Sequence, residues 1–233
     1  MKPKGGIVLV HGSGRTRRFD GLARLFADNG FAVFTYDKRG VGGSGGVYEG
    51  TYNVTAENLR LLADDAGVAM QTLRARPEVA GLGIGYWGIS QAGWIIPLAA
   101  AAQARPDFMV LWSGPVCTVA EEIEAGIGNG GNNANDQLAR EFVRTLRSGG
   151  GDTDPRDALR RLAIPGLWIY GGRDPTLPVA LSIERLQGLI DGGSQHFSYW
   201  LDSSAGHDMD LEVSSPFIQA MMRWMADHAQ NRG

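Results

Sequence analysis

The chain has 233 residues, 43% of them hydrophobic, a formal net charge of −3 and one cysteine, Cys117. That length suits one globular domain with a sizeable core and allows at most two. The near-balanced charge gives no field to draw in nucleic acid or an anionic membrane surface, and a lone cysteine excludes an intramolecular disulfide, which fits a reducing compartment.

The apolar run Ile7-Val8-Leu9-Val10 follows the start of the chain closely. It is too short for a signal-peptide core, and no cleavage pattern follows it. No stretch reaches the roughly 18 apolar residues of a membrane span, so a cytoplasmic protein without a membrane span is expected. Residues 7–10 predict a first strand and residues 31–36 a second. Leu59, Leu62, Ala66, Met70 and Leu73 recur three or four apart and form one stripe of an amphipathic helix. Residues 82–87 and 108–112 predict two more strands, 166–170 a fifth and 197–201 a sixth. Phe217, Met221, Trp224 and Met225 form the stripe of a last helix. The strands lack polar alternation, as expected where both faces are covered. Strands alternating with helices predict an α/β fold: a parallel sheet of about six strands, helices on both faces and right-handed crossovers.

Residues 116–162 break this rhythm. They contain a helical run near 119–127 and a second helix at 136–147, separated and followed by Gly128-Asn129-Gly130-Gly131-Asn132-Asn133 and Ser148-Gly149-Gly150-Gly151. Such clusters mark connections. The second helix carries Leu138, Phe142 and Leu146 at i, i+4 and i+8. The apolar content is too small for a separate core, so the segment reads as a short helical cap inserted in a single domain spanning 1–233. Two roles fit it equally: a lid that opens for substrate, and a helix docked permanently on the sheet.

Four loops carry the candidate chemistry. Gly85-Tyr86-Trp87-Gly88-Ile89-Ser90-Gln91-Ala92-Gly93 runs from a buried strand into a serine and then a helix. A serine on so sharp a turn needs small residues two before and two after it, here Gly88 and Ala92. An ordinary N-cap serine also fits a strand–helix junction. His11-Gly12-Ser13-Gly14 follows the first strand, where a glycine-rich backbone approaches a ligand closely. No Gly-Lys-Ser/Thr follows, which argues against a phosphate loop. His11 is expected to be a buried structural histidine, hydrogen-bonded within its loop. Tyr170-Gly171-Gly172-Arg173-Asp174-Pro175 follows the fifth strand and Ala205-Gly206-His207-Asp208-Met209 the sixth. Each loop lies at the carboxyl end of a separate strand, the edge where open α/β sheets bind ligands. His196 falls at the opposite edge and His228 on the last helix.

The order Ser90, Asp174, His207 together with these loops resembles the α/β-hydrolase superfamily over essentially the whole chain. The chain is most similar to bacterial esterase-like members with a Gly-x-Ser-Gln-Gly-Gly elbow and an Asp-x-Arg-Gly-x-Gly-x-Ser loop. These read here Gly88-Ile89-Ser90-Gln91-Ala92-Gly93 and Asp37-Lys38-Arg39-Gly40-Val41-Gly42-Gly43-Ser44. The resemblance implies a reduced α/β-hydrolase sheet, without the extra antiparallel strands with which many relatives begin, and a structural role for the second loop. It implies Ser90 as nucleophile, His207 as general base, Asp174 as its orienting acid, and the N–H groups of Ser13 and Gln91 as the oxyanion hole. Gly14, Trp112 and Met209 are candidate pocket residues. No metal or organic cofactor is expected, because the chain has no His-Glu-x-x-His motif and no Cys-x-x-Cys pair. The expected partner is a small acyl substrate, with a carboxylic ester the default. Thioesters, lactones, amides and acyl transfer use the same triad, and a binding module on this scaffold is the non-enzymatic alternative.

Overall fold

The structure, a computed structural model, describes residues 2–50, 53–128, 136–208 and 216–230. In chain order it forms β1 (Gly6–Val10), α1 (Asp20–Asp28), β2 (Ala32–Phe34), α2 (Ala56–Arg74), β3 (Ile84–Ile89), α3 (Ala92–Ala99) and β4 (Met109–Trp112). There follow α4 (Val119–Gly128), α5 (Asp136–Ser148), α6 (Arg156–Leu159), β5 (Gly166–Gly171), α7 (Val179–Asp191), β6 (Phe197–Asp202) and α8 (Pro216–Gln230). The strands make one six-stranded sheet in the order β2-β1-β3-β4-β5-β6, parallel throughout. This is the expected α/β-hydrolase sheet.

Successive strand residues point to opposite faces, and the sheet divides its apolar side chains accordingly. Val8, Val10, Tyr86, Leu111, Trp168 and Tyr170 face a core shared with α2, α3 and α7 and with the helices of the β4–β5 connection. Ile7, Leu9, Trp87, Val110, Trp112 and Ile169 face a second core under α1 and α8. The α2 stripe is buried as its periodicity predicts, from Leu59 through Leu73. Thr55 caps that helix by accepting a hydrogen bond from the Asn58 N–H at 3.2 Å.

Three expectations are corrected. The second strand is shorter than residues 31–36 and its side chains are half-buried, because it lies at the sheet edge and pairs on one side alone. β3 runs two residues later than predicted, so its ladder continues to the residue before Ser90. The buried face of α5 holds Ala139, Val143 and Leu146, whereas Leu138 is 57% exposed. The helix is therefore rotated from the stripe anticipated, and α4 packs against it.

Candidate active site

Ser90 sits between β3 and α3 with φ of 55°, in the left-handed region. A non-glycine residue held there stores about 1–3 kcal/mol of strain, which the surrounding packing must impose. Its neighbours show how. The Ser90 N–H donates to the Trp112 carbonyl at 2.9 Å, and its carbonyl accepts from the Gly93 N–H at 2.8 Å. A Cβ at Gly88 would lie 2.4 Å from Ala92 Cβ and 2.7 Å from Ile96 Cδ1. The turn thus demands glycine at position 88 and tolerates alanine at position 92. It also aims the N-terminus of α3 toward the serine.

Asp174 and His207 come from the loops after β5 and β6 and meet. His207 Nδ1 lies 2.6 Å from Asp174 Oδ2. The other carboxylate oxygen accepts the N–H groups of Thr176 at 2.8 Å and Leu177 at 2.9 Å, which fixes the plane of a fully buried carboxylate. Ser113 Oγ donates to the His207 carbonyl at 2.7 Å. That bond ties the histidine loop to the residue following Trp112, whose carbonyl holds the Ser90 N–H. Burial lowers the pKa of the His207 imidazole, but the hydrogen bond and charge of Asp174, with Asp208 and Glu122 adding to them, outweigh it. The net direction is up from 6.5.

The first loop approaches from β1. A Cβ on Gly12 would lie 3.4 Å from Ser90 Cβ, so backbone and nucleophile are neighbours. Among the described residues neither the Ser13 nor the Gln91 N–H meets an acceptor. His11 is buried, with the Tyr36 ring 4.8 Å and the Phe19 ring 5.1 Å away. Burial first, then the Lys38 charge, pulls its pKa down to about 4, leaving a neutral ring at ordinary pH. A hydrogen bond with the Tyr36 backbone acts against that fall, while among the described residues its Nε2 meets no partner. The Asp37–Ser44 loop is braced from within and from α2. Asp37 accepts from Arg18 Nη2 at 3.1 Å and from the Gly43 N–H at 2.7 Å, Ser44 Oγ donates to the Asp37 carbonyl at 2.6 Å, and Arg39 pairs with Asp65.

Of the candidate pocket residues, Gly14 is exposed with φ of 90° and open space where a Cβ would lie. Trp112 is corrected: it is 1% exposed and packs 6.2 Å from Trp87 in the core under α8. The helices of the β4–β5 connection pack on the other core, so Trp112 does not lie under them. Met209 lies outside the described residues. His196 bonds the Leu162 carbonyl and His228 the Trp224 carbonyl. Asp202 accepts from Ser204 rather than from a histidine. Among the described residues no cluster of His, Cys, Asp or Glu is arranged to hold a metal ion.

Two further groups near the site carry little mark in the sequence. Glu122, on α4, interacts electrostatically with His207 and Asp174; burial pushes its carboxyl up to about 7, with His207 pulling it down and Asp174 pushing it up. Nothing in the run Glu121-Glu122-Ile123-Glu124 distinguishes it in sequence. Lys38 is buried behind Gly12 and Gln91. Its one signal is its position in a loop that directly follows a strand.

The family model described as serine aminopeptidase, S33 matches residues 1–158. That stretch includes Ser90 and ends before Asp174 and His207. No curated protein sequence matches the chain. Among solved structures, an esterase of Pyrococcus furiosus aligns with a TM-score of 0.69 at 16% identity, covering 97% of this chain and 81% of that one. A monoacylglycerol lipase of Paleococcus ferrophilus gives 0.64 at 19% identity, covering 98% and 96%. An acylaminoacyl peptidase of Pyrococcus horikoshii gives 0.72 at 17% identity, covering all of this chain and 38% of that one.

Proposed function

This chain belongs to the serine aminopeptidase S33 family of α/β-hydrolases, and from that premise we propose that it is a serine hydrolase cleaving small carboxylic esters through Ser90, His207 and Asp174. The observation that supports this most directly is the 2.6 Å contact between His207 and Asp174, tied through Ser113 to the strand end that also holds the Ser90 backbone. In this reading His207 Nε2 takes the Ser90 hydroxyl proton as Oγ attacks the acyl carbon. The carbonyl electrons move onto oxygen, and the Ser13 and Gln91 N–H groups stabilise that oxyanion. Asp174 holds the imidazole tautomer and stabilises the imidazolium. Collapse expels the alcohol, which takes the proton from His207, and leaves an acyl group on Ser90. Water, deprotonated by His207, then releases the acid. The β4–β5 connection acts in this reading as the cap of a single domain. The esterase and lipase neighbours favour an oxygen ester over an amide.

The test is covalent labelling combined with turnover. A fluorophosphonate should label Ser90 and no other serine. Ser90→Ala should fold normally and lower turnover of p-nitrophenyl acetate, butyrate and octanoate by about 10⁴-fold or more. Labelling elsewhere, or an active Ser90→Ala protein, would overturn the assignment. Including a thioester and an anilide in the panel separates the acyl classes.

A further inference from the structure

Lys38 is 1% exposed and follows a three-residue edge strand in the loop that leads to Arg39. Its Nζ donates to the Gly12 carbonyl at 2.8 Å and to Gln91 Oε1 at 2.6 Å. The Asn53 amide group lies 3.1 Å from the ammonium and, with its oxygen and nitrogen exchanged, presents a third acceptor to it. Gln91 Nε2 in turn donates to the Asn53 carbonyl at 2.5 Å. An ammonium has three N–H donors; two of them meet the Gly12 carbonyl and Gln91 Oε1, and the Asn53 amide oxygen is within reach of the third once that amide is turned over.

Two of those acceptors adjoin the backbone donors proposed for the oxyanion hole. The Gly12 carbonyl and the Ser13 N–H belong to one peptide unit. In a planar trans peptide the two groups point in opposite directions, and no peptide bond among the described residues is cis. Drawing the Gly12 oxygen back onto Lys38 therefore swings the Ser13 N–H away from the lysine. Gln91 carries the other donor on its own backbone, and its side chain is clamped between Lys38 and Asn53. One buried cation thus fixes both donors from behind.

We propose that Lys38 is the positioning residue of the oxyanion hole, holding the Ser13 and Gln91 N–H groups in register and placing a positive charge behind them. The inference rests on the reading of Ser90 as nucleophile. A purely structural position would be filled at lower cost by methionine, since a buried ammonium is expensive to desolvate. That cost is visible here: burial pulls the Lys38 pKa down from 10.5 to about 7. Preorganised donors and charge matter most where negative charge develops, so the benefit falls on the transition state rather than on substrate binding.

The experiment compares wild type with Lys38→Met, which keeps length and removes the charge, and Lys38→Gln, which keeps a donor. Each is assayed on p-nitrophenyl butyrate and titrated with an alkyl trifluoromethyl ketone, whose serine adduct carries an oxyanion, and with the matching trigonal methyl ketone. The expected result for Lys38→Met is a kcat about 10- to 100-fold lower with KM changed by less than about threefold, against the 10²–10³ typical of losing one hole donor outright. Affinity for the trifluoromethyl ketone should fall by a similar factor while that for the methyl ketone holds. Lys38→Gln should lie between the two proteins. If wild-type Ser90 is labelled by a fluorophosphonate but both variants keep kcat within about twofold, or lose affinity for both ketones equally, the inference is overturned and the nucleophile reading stands. If both variants fail to fold, Lys38 serves the fold and the inference is also overturned. If wild-type Ser90 is not labelled, the nucleophile reading itself has failed.

Discussion

At the scale of single residues, the catalytic proposal turns on the protonation of His207. The imidazole must be neutral to act as base, and its pKa is held above 6.5 chiefly by Asp174 acting against burial, with Asp208 and Glu122 adding negative charge. The value of kcat/KM should therefore rise with pH through a midpoint above 6.5, read from a pH–rate profile on a p-nitrophenyl ester. Asp174→Asn removes both the hydrogen-bonding carboxylate and its charge. The midpoint should move down, and kcat should fall by about 10²- to 10⁴-fold, because the imidazole loses its tautomer and its counter-charge. Asp202→Asn, which alters a carboxylate bonded to its own turn, should leave both unchanged. The reverse pattern would reassign the acid.

At the scale of elements, α5 distinguishes a mobile lid from a docked helix. Its apolar face is seated: Ala139 is 0% exposed, Val143 3% and Leu146 5%, all within the main core. The segment is further tied by Glu121 on α4, which pairs with Arg185 on α7, and by the Ala120 N–H, which donates to Asp152 at 2.9 Å. Those contacts favour a docked helix. Leu146→Ala should then cost about 2–5 kcal/mol of stability, as for other buried leucines, while kcat/KM at saturating folded protein stays within about threefold. Urea unfolding and ester kinetics on the same preparation check both parts. A variant with unchanged stability and altered chain-length preference would instead indicate a lid. The strand–helix turn at Ser90 is readable in sequence because its constraint is local: a 2.4 Å approach between a Cβ at Gly88 and Ala92 falls within five residues of sequence. The orientation of α5 is not, because Leu138, Phe142 and Leu146 and the observed Ala139, Val143 and Leu146 offer two adjacent apolar faces, and only the neighbouring helices choose between them.

At the scale of the whole molecule, depressed carboxyl pKa values link distant elements and set the response to acid. The Arg185 hydrogen bonds, more than any other cause, bring Glu121 down from 4.5 to about 2, and Arg18 and the Gly43 and Arg18 N–H groups hold Asp37 well below 3.8. A carboxyl whose folded pKa is lowered contributes stability above its unfolded pKa and loses it as pH falls toward the folded value. The urea midpoint should therefore drop as pH is lowered from about 5 to about 2, and Glu121→Gln should flatten part of that drop. Glu122 has the opposite sign: its raised pKa, about 7, makes stability decline as pH rises from about 4.5 toward 7.

Local sequence pattern is sufficient for the class of fold and for the sheet edge at which the candidate loops lie. Six apolar runs alternating with helices are enough to predict a parallel sheet, though not its strand order, and Asp174 and His207 follow two neighbouring strands, so their meeting needs only that parallel strands end at one edge. The direction of side chains whose surroundings are made of distant segments is set by long-range packing. Trp112 lies in a strand buried on both faces, where apolar residues at every position erase the period-2 signal, and packing under α8 turned it away from the site. Lys38 lies between two residues that its loop pattern explains and carries no signature of its own. It is buried against Gly12 and Gln91 because β1, β2 and β3 are neighbours in the sheet, a juxtaposition that no window of sequence contains.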